Sequence, residues 1–129
     1  MKKKFSKSWK SSKKPSKQRK YRYNAPLHIK HKFMSAHLSK ELMKKYSKRN
    51  IPIRKGDRVK IMRGQFKKKT GEITKVNLKK LKVYVDNIFV TKRDGTKAFY
   101  PLPPSNLLIT ELKLEDKQRK KLLERGIKK

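Results

Sequence analysis

Thirty-two positive charges with no negative counterpart are the first constraint this chain must satisfy. Lys and Arg number 41 against 9 Asp and Glu in 129 residues, about one unbalanced charge every four residues. Such a chain repels itself, so a compact state is expected to persist only beside a polyanion. Hydrophobic residues make up 33% and aromatics 9%. That suffices for one modest domain with tails, but not for a core running the whole length.

The charge is also unevenly spread. Residues 1–50 hold 18 Lys and Arg and one acid, Glu41, whereas residues 51–129 hold the other 23 basic residues and 8 acids. The opening stretch, 1–24, is Lys, Ser and Arg with isolated aromatics at Phe5, Trp9, Tyr21 and Tyr23. It shows no period of a helix or a strand, so it reads as an arm disordered when free. It is either a solubilising tail or a ligand for phosphates, and aromatics recurring within a basic run favour the second.

From 25 to 53 the pattern turns weakly helical. Pro26 suits the first turn of a short helix carrying Leu27, His28, Ile29 and His31. A second helix is expected after Ser39, a capping residue, with Glu41 in its first turn. Leu38, Leu42 and Tyr46 would form its apolar stripe. Ile51-Pro52-Ile53 then reads as a linker or an edge segment.

The stretch 54–110 reads as the folded body. Arg58-Val59-Lys60-Ile61 and Lys82-Val83-Tyr84-Val85-Asp86 alternate strictly, and Asn87 to Thr91 does so less regularly. Glu72 to Val76 breaks its alternation once, as at a bulge. Ala98 to Tyr100 and Asn106 to Ile109 add two short strands, with Asp94-Gly95 as a two-residue hairpin turn. Short strands separated by tight turns predict a mostly β domain closed as a small barrel. Residues 111–129 read as a helical tail. Leu114, Leu122 and Leu123 give it too small an apolar face to pack strongly, so a solvated or RNA-ordered helix ending at Gly126 is expected.

Enzymatic chemistry finds no support. His28, His31 and His37 are the only histidines, cysteine is absent, and Glu41 alone supplies a nearby carboxylate, so neither a metal site nor a cofactor is expected. The serines of the arm have no histidine or acid beside them for a triad, and no Gly-rich loop ends in Gly-Lys-Ser/Thr. No apolar run approaches a membrane span.

The most informative segment is Lys55-Gly56-Asp57-Arg58-Val59-Lys60-Ile61-Met62-Arg63-Gly64-Gln65-Phe66-Lys67-Lys68-Lys69-Thr70-Gly71-Glu72-Ile73. Gly56, Gly64 and Gly71 fall where turns should flank a strand. Between Gly64 and Gly71 the chain presents Phe66, as a core anchor or a stacking face, and three consecutive lysines. The segment from Gly56 to about Tyr84 resembles a KOW motif, a turn-and-strand unit that binds RNA in ribosomal and transcription-elongation proteins. The resemblance extends to Lys17-Gln18-Arg19-Lys20, Tyr23-Asn24-Ala25-Pro26-Leu27-His28 and Met34 to Leu42. It continues at Asp94-Gly95-Thr96 and Pro104-Ser105-Asn106. Together these blocks, spanning 14 to 125, resemble the family of large-subunit ribosomal protein twenty-four in its archaeal and eukaryotic form, numbered twenty-six in eukaryotes.

That resemblance implies an SH3-like barrel bound to large-subunit ribosomal RNA near its 5′ domain. It further implies early entry into subunit assembly, a cytoplasmic ribosome, and a place near the nascent-chain exit among neighbouring ribosomal proteins. Targeting or translocation factors there would be further partners, without membrane insertion. By position, Arg54, Lys55, Arg63, Gln65, Phe66, Lys67, Lys68 and Lys69 match the RNA-facing motif and turn, and Ser105 and Asn106 match the distal block. Lys17, Arg19, Lys20, Tyr21, Arg22, Tyr23 and His28 fall on the threading arm, with His31 just beyond for RNA contact or helix packing. Lys68 stands where the family commonly has glycine, so the turn takes another path or tolerates a strained lysine. Pro103 replaces a usually polar position. The other readings are a KOW-type transcription elongation module and a non-specific basic nucleic-acid binder.

Overall fold

The computed structural model describes residues 5–6, 8–9 and 11–127. Along the chain lie α1 (Pro15–Asn24), α2 (Leu27–Phe33), β1 (Ser35–Leu38), α3 (Lys40–Tyr46), β2 (Asn50–Pro52), β3 (Arg58–Ile61) and β4 (Thr70–Asn77). They are followed by β5 (Lys82–Val85), β6 (Phe89–Thr91), β7 (Lys97–Phe99), β8 (Leu107–Glu111) and α4 (Lys117–Ile127). Six strands form one sheet in the order β2-β1-β8-β3-β4-β5, while β6 and β7 make a separate hairpin.

Alternation explains the inner strands. Val59 and Ile61 of β3, Val83 and Val85 of β5 and Leu107 and Ile109 of β8 turn to one face and are fully buried. Inward residues from all six strands join one apolar cluster, so the sheet wraps around its core as a small barrel-like body. Burying each such aliphatic side chain contributes about 1.5–3 kcal/mol. The break in alternation along Glu72 to Val76 is a bulge, where the β4–β5 register shifts between Ile73 and Lys75.

Gly71 lies inside β4 rather than at a turn, opposite Val59. A Cβ there would sit 2.7 Å from Val85 Cγ1 and 2.8 Å from the Asp86 carbonyl oxygen, so β5 passes too close for any side chain. Gly71→Ala is expected to lower stability by about 1–3 kcal/mol, the usual cost of overpacking. An unchanged urea midpoint would show that the two strands can part freely.

Four elements depart from the sequence reading. The arm read as disordered carries α1 over its last ten residues; 1–4, 7 and 10 lie outside the described residues. Pro15 opens the helix, and Lys, Gln and Arg are good helix formers. Tyr21 then anchors it, stacking on Trp9 at 4.2 Å between ring centroids and meeting Phe33 edge-on at 6.0 Å.

Leu38 does not belong to a helical stripe. It lies fully buried in β1, whose partners are β2 on one side and, in parallel, β8 on the other. Ser39 caps α3, its hydroxyl accepting from the Leu42 backbone N–H, and Glu41 occupies the first turn. Ile51-Pro52 is accordingly the edge strand, a place where a missing N–H is tolerated.

The turn at Asp94-Gly95 is wider than two residues. The Gly95 N–H donates to the Lys92 carbonyl, the Lys92 N–H donates to Thr96, and Gly95 alone has positive φ, at 83°. This is the three-residue hairpin form with glycine at its left-handed position.

The fourth departure is the C-terminal helix, which is docked instead of solvated. Leu123 is buried in the core cluster and Arg119 is 3% exposed. Gly126 lies within α4, not beyond it, and a Cβ there would collide with the Tyr46 carbonyl and the Lys48 side chain. The Lys48 ammonium donates to the Leu122 carbonyl across the same contact. Arg119 and Asp57, which is fully buried, form a two-pronged ion pair with both contacts at 2.6 Å. That pair supplies the adhesion that three leucines alone would not.

Candidate nucleic-acid interface

Three surfaces gather most of the expected RNA-facing residues, leaving Arg19, Tyr23 and His28 outside them. The first is the loop between β3 and β4, which carries Arg63, Gln65, Phe66, Lys67, Lys68 and Lys69. Two overlapping turns shape it, with the Lys67 N–H donating to the Gly64 carbonyl and the Lys69 N–H to that of Phe66. The Phe66 ring is half-buried, packs on Tyr100 at 5.1 Å and lies under the Lys69 ammonium at 5.3 Å. Phe66 is thus the loop's anchor, and the lysines around it are exposed. The Asn106 carbonyl accepts from the Met62 N–H at 2.8 Å, which brings the Pro104–Asn106 turn against the start of this loop.

Lys68 takes φ of 74°, so the lysine standing at a glycine position is held in the left-handed region. That conformation costs an ordinary residue about 1–2 kcal/mol, part of which glycine forfeits through its freer unfolded chain. Lys68→Gly is expected to raise stability by about 0.5–1 kcal/mol while weakening RNA affinity. If it melts below the parent protein, the strain argument fails.

The second surface is a hollow of about 480 Å³ in which His31, Arg54 and Lys55 meet Lys75 and Thr74. Here the expectation needs qualifying for Arg54, whose guanidinium is paired with the Asp116 carboxylate. The Gln118 backbone N–H, and then Arg54, hold the Asp116 carboxyl below its ordinary value against the opposing effect of desolvation. His28 lies exposed on α2 and outside the hollow.

The third surface is a cleft of about 610 Å³ between α1, the β4–β5 turn and the Pro103–Ser105 stretch. It unites Tyr21, Arg22 and Ser105 with residues the sequence reading missed: Gln18, Phe33, Lys80, Leu81 and Lys82. Pro103 contributes an apolar rim. Lys17 and Lys20 border an adjoining hollow beside Tyr21 and Trp9. Arg19 and Tyr23 are exposed on α1, Tyr23 at 82%, with its carbonyl accepting from the buried Lys30 ammonium at 3.1 Å.

No acid lies in the loop or lines either hollow, and Asp116 reaches the second surface only at its edge, through Arg54. Acidic side chains appear instead around a separate hollow, where Glu72 and Glu111 face Arg58 and Lys113. Among the described residues only Arg54, Arg58, Lys113 and Arg119 pair with carboxylates. The remaining described cations form no ion pair with a described carboxylate. Among the described residues, no three His, Asp or Glu side chains converge as a metal would need.

A small barrel with several acid-free basic surfaces defines a class: a basic protein shaped to hold a polyanion. A family model described as ribosomal proteins L26 of eukaryotes and L24 of archaea matches residues 12–126. The chain is also similar to the large ribosomal subunit protein uL24 of Korarchaeum cryptofilum (strain OPF8). The two are 53% identical over 118 residues, covering 91% of this chain and 90% of the relative. The chain therefore belongs to this eukaryotic and archaeal family of ribosomal proteins, as its sequence blocks had implied, and its role is structural, not enzymatic.

Proposed function

We propose that this protein is a constituent of the large ribosomal subunit that binds large-subunit rRNA by shape, with its barrel against a folded junction and its basic segments threading between helices. The observation that carries this reading is that no acid lines the cleft beside α1 or the hollow at Lys55, while Glu72 and Glu111 line a separate one. Lysines outnumber arginines 32 to 9, which suits point contacts with phosphates more than bidentate base reading. Specificity then resides in the fold of the RNA.

Family resemblance supports a position near the rRNA 5′ domain and the nascent-chain exit, and entry early in assembly. Exposed Val90, Phe99 and Tyr100 on and beside the β6–β7 hairpin offer apolar contact to neighbouring ribosomal proteins, or to targeting factors at the exit. The test is sedimentation of cell extract through a high-salt cushion. Co-migration with the large subunit, at salt that strips loosely held basic proteins, is expected. Release into the free fraction or migration with RNA polymerase would overturn the proposal. Displacement by duplex DNA would identify a general binder.

A further inference from the structure

The cleft between α1 and the β4–β5 turn combines features that phosphate attraction alone does not require. One side is aromatic: Trp9 stacks on Tyr21 with an interplanar angle of 22°, and Phe33 meets Tyr21 edge-on. Arg22, Lys80 and Lys82 supply positive charge around the same space, and no carboxylate lines it. Its volume, about 610 Å³, falls within the range of small-molecule sites. Leu81, which also lines it, holds φ of 53°. A bulky residue in the left-handed region is strained, and such strain collects where a segment is shaped for a ligand. Here it fixes the turn that carries Lys80 and Lys82.

From these features we propose that the cleft receives one unstacked nucleotide of RNA, its base against the aromatic wall and its phosphates on Arg22, Lys80 and Lys82. The proposal rests on the RNA-binding reading above and adds a base-recognising subsite to it. Aromatic stacking accepts any base face, so the site selects an extruded nucleotide over a paired one, and the stacking share of its affinity depends little on salt while the phosphate share depends on it steeply.

Trp9 is the sole tryptophan, and its fluorescence reports this cleft and the hollow that adjoins it at Lys17 and Lys20, which the substitutions at Lys80 and Lys82 tell apart. The full-length protein is titrated with tetrauridylate, whose bases stack poorly on one another, and with an abasic tetranucleotide of equal charge. Binding is read independently from the anisotropy of a labelled end. Tetrauridylate is expected to quench Trp9 saturably and to bind about fivefold or more tighter than the abasic chain, the factor that stacking one base supplies. Lys80→Gln with Lys82→Gln should weaken the quenching response, leaving the free protein's emission unchanged. Lys67→Ala, Lys68→Ala and Lys69→Ala together should lower overall affinity without removing the quench. Equal affinity and equal quenching by the abasic chain would overturn the proposal. So would binding seen in anisotropy with no change at Trp9, an outcome that leaves the RNA-binding reading standing. Absence of any binding of tetrauridylate would overturn the proposal as well, while the RNA-binding reading stands or falls separately with co-sedimentation on the large subunit.

Discussion

Replacing Asp57 with alanine is expected to remove about 3–5 kcal/mol of stability, more than any other single substitution considered for this protein. Asp57 is fully buried, and its two oxygens take four donors. Oδ1 accepts from the Lys113 N–H at 3.1 Å and Arg119 Nη1 at 2.6 Å, and Oδ2 accepts from the Arg54 N–H at 2.9 Å and Arg119 Nη2 at 2.6 Å. Removing the carboxylate leaves a guanidinium buried with two carbonyls, those of Lys113 and Pro52, as its remaining partners. Its Nε already lacks one. It also strands two backbone donors, and it releases α4 from the barrel. Since a domain's whole margin is about 5–15 kcal/mol, this loss approaches unfolding.

Arg119→Met should do less harm, because Asp57 would keep its two backbone donors and the long side chain would still fill the space. Urea unfolding followed by circular dichroism measures the three proteins on one scale. A shift below about 1 kcal/mol for Asp57→Ala would mean that the pair is replaceable by water.

The second large effect concerns binding. Changing Lys67, Lys68 and Lys69 together to alanine should weaken affinity for a large-subunit rRNA fragment about a hundredfold near physiological salt. The slope of log affinity against log salt should fall by about 2–3, since each phosphate contact contributes about 0.7–0.9. Structure is expected to survive, because Phe66, not the lysines, ties the loop to the core periphery through Tyr100. Titrations between about 50 and 200 mM salt give the slope directly. An unchanged slope would mean that all three lysines remain solvated in the complex.

Much of the barrel was legible because its strands alternate. Val59 and Ile61, or Val83 and Val85, announce an inward face without reference to any distant residue. Ala36 and Leu38 do not, because β1 exists only by pairing with strands centred on Ile51 and Ile109, and no local pattern encodes that. Asp57 reads as one polar residue in a turn, and Arg119 as one cation among many on a charged helix. Their partnership becomes visible only when the fold brings them together.

The candidate site divides in the same way. The lysine run in the β3–β4 loop is contiguous and was found, and its anchor Phe66 was left open between core and stacking until its packing on Tyr100 decided it. The aromatic cleft is assembled from α1, the β4–β5 turn and the Pro103–Ser105 stretch, and Leu81 carried no signal beyond an apolar residue between lysines. Tyr21 stands out in the sequence as an isolated aromatic in a segment without helical period, and the structure places it on α1 against Trp9 and Phe33.

The parallel pairing of β1 with β8 joins His37 to Leu108, and the Asp57–Arg119 pair spans 62 residues. Neither can form on a nascent chain until its synthesis has passed those distant partners. Closure of this body therefore waits until Arg119 has emerged, and the earlier strands leave the ribosome with their edges open. For a protein this basic, the interval before closure is one in which any nearby RNA competes with the chain's own last helix for the unfolded remainder.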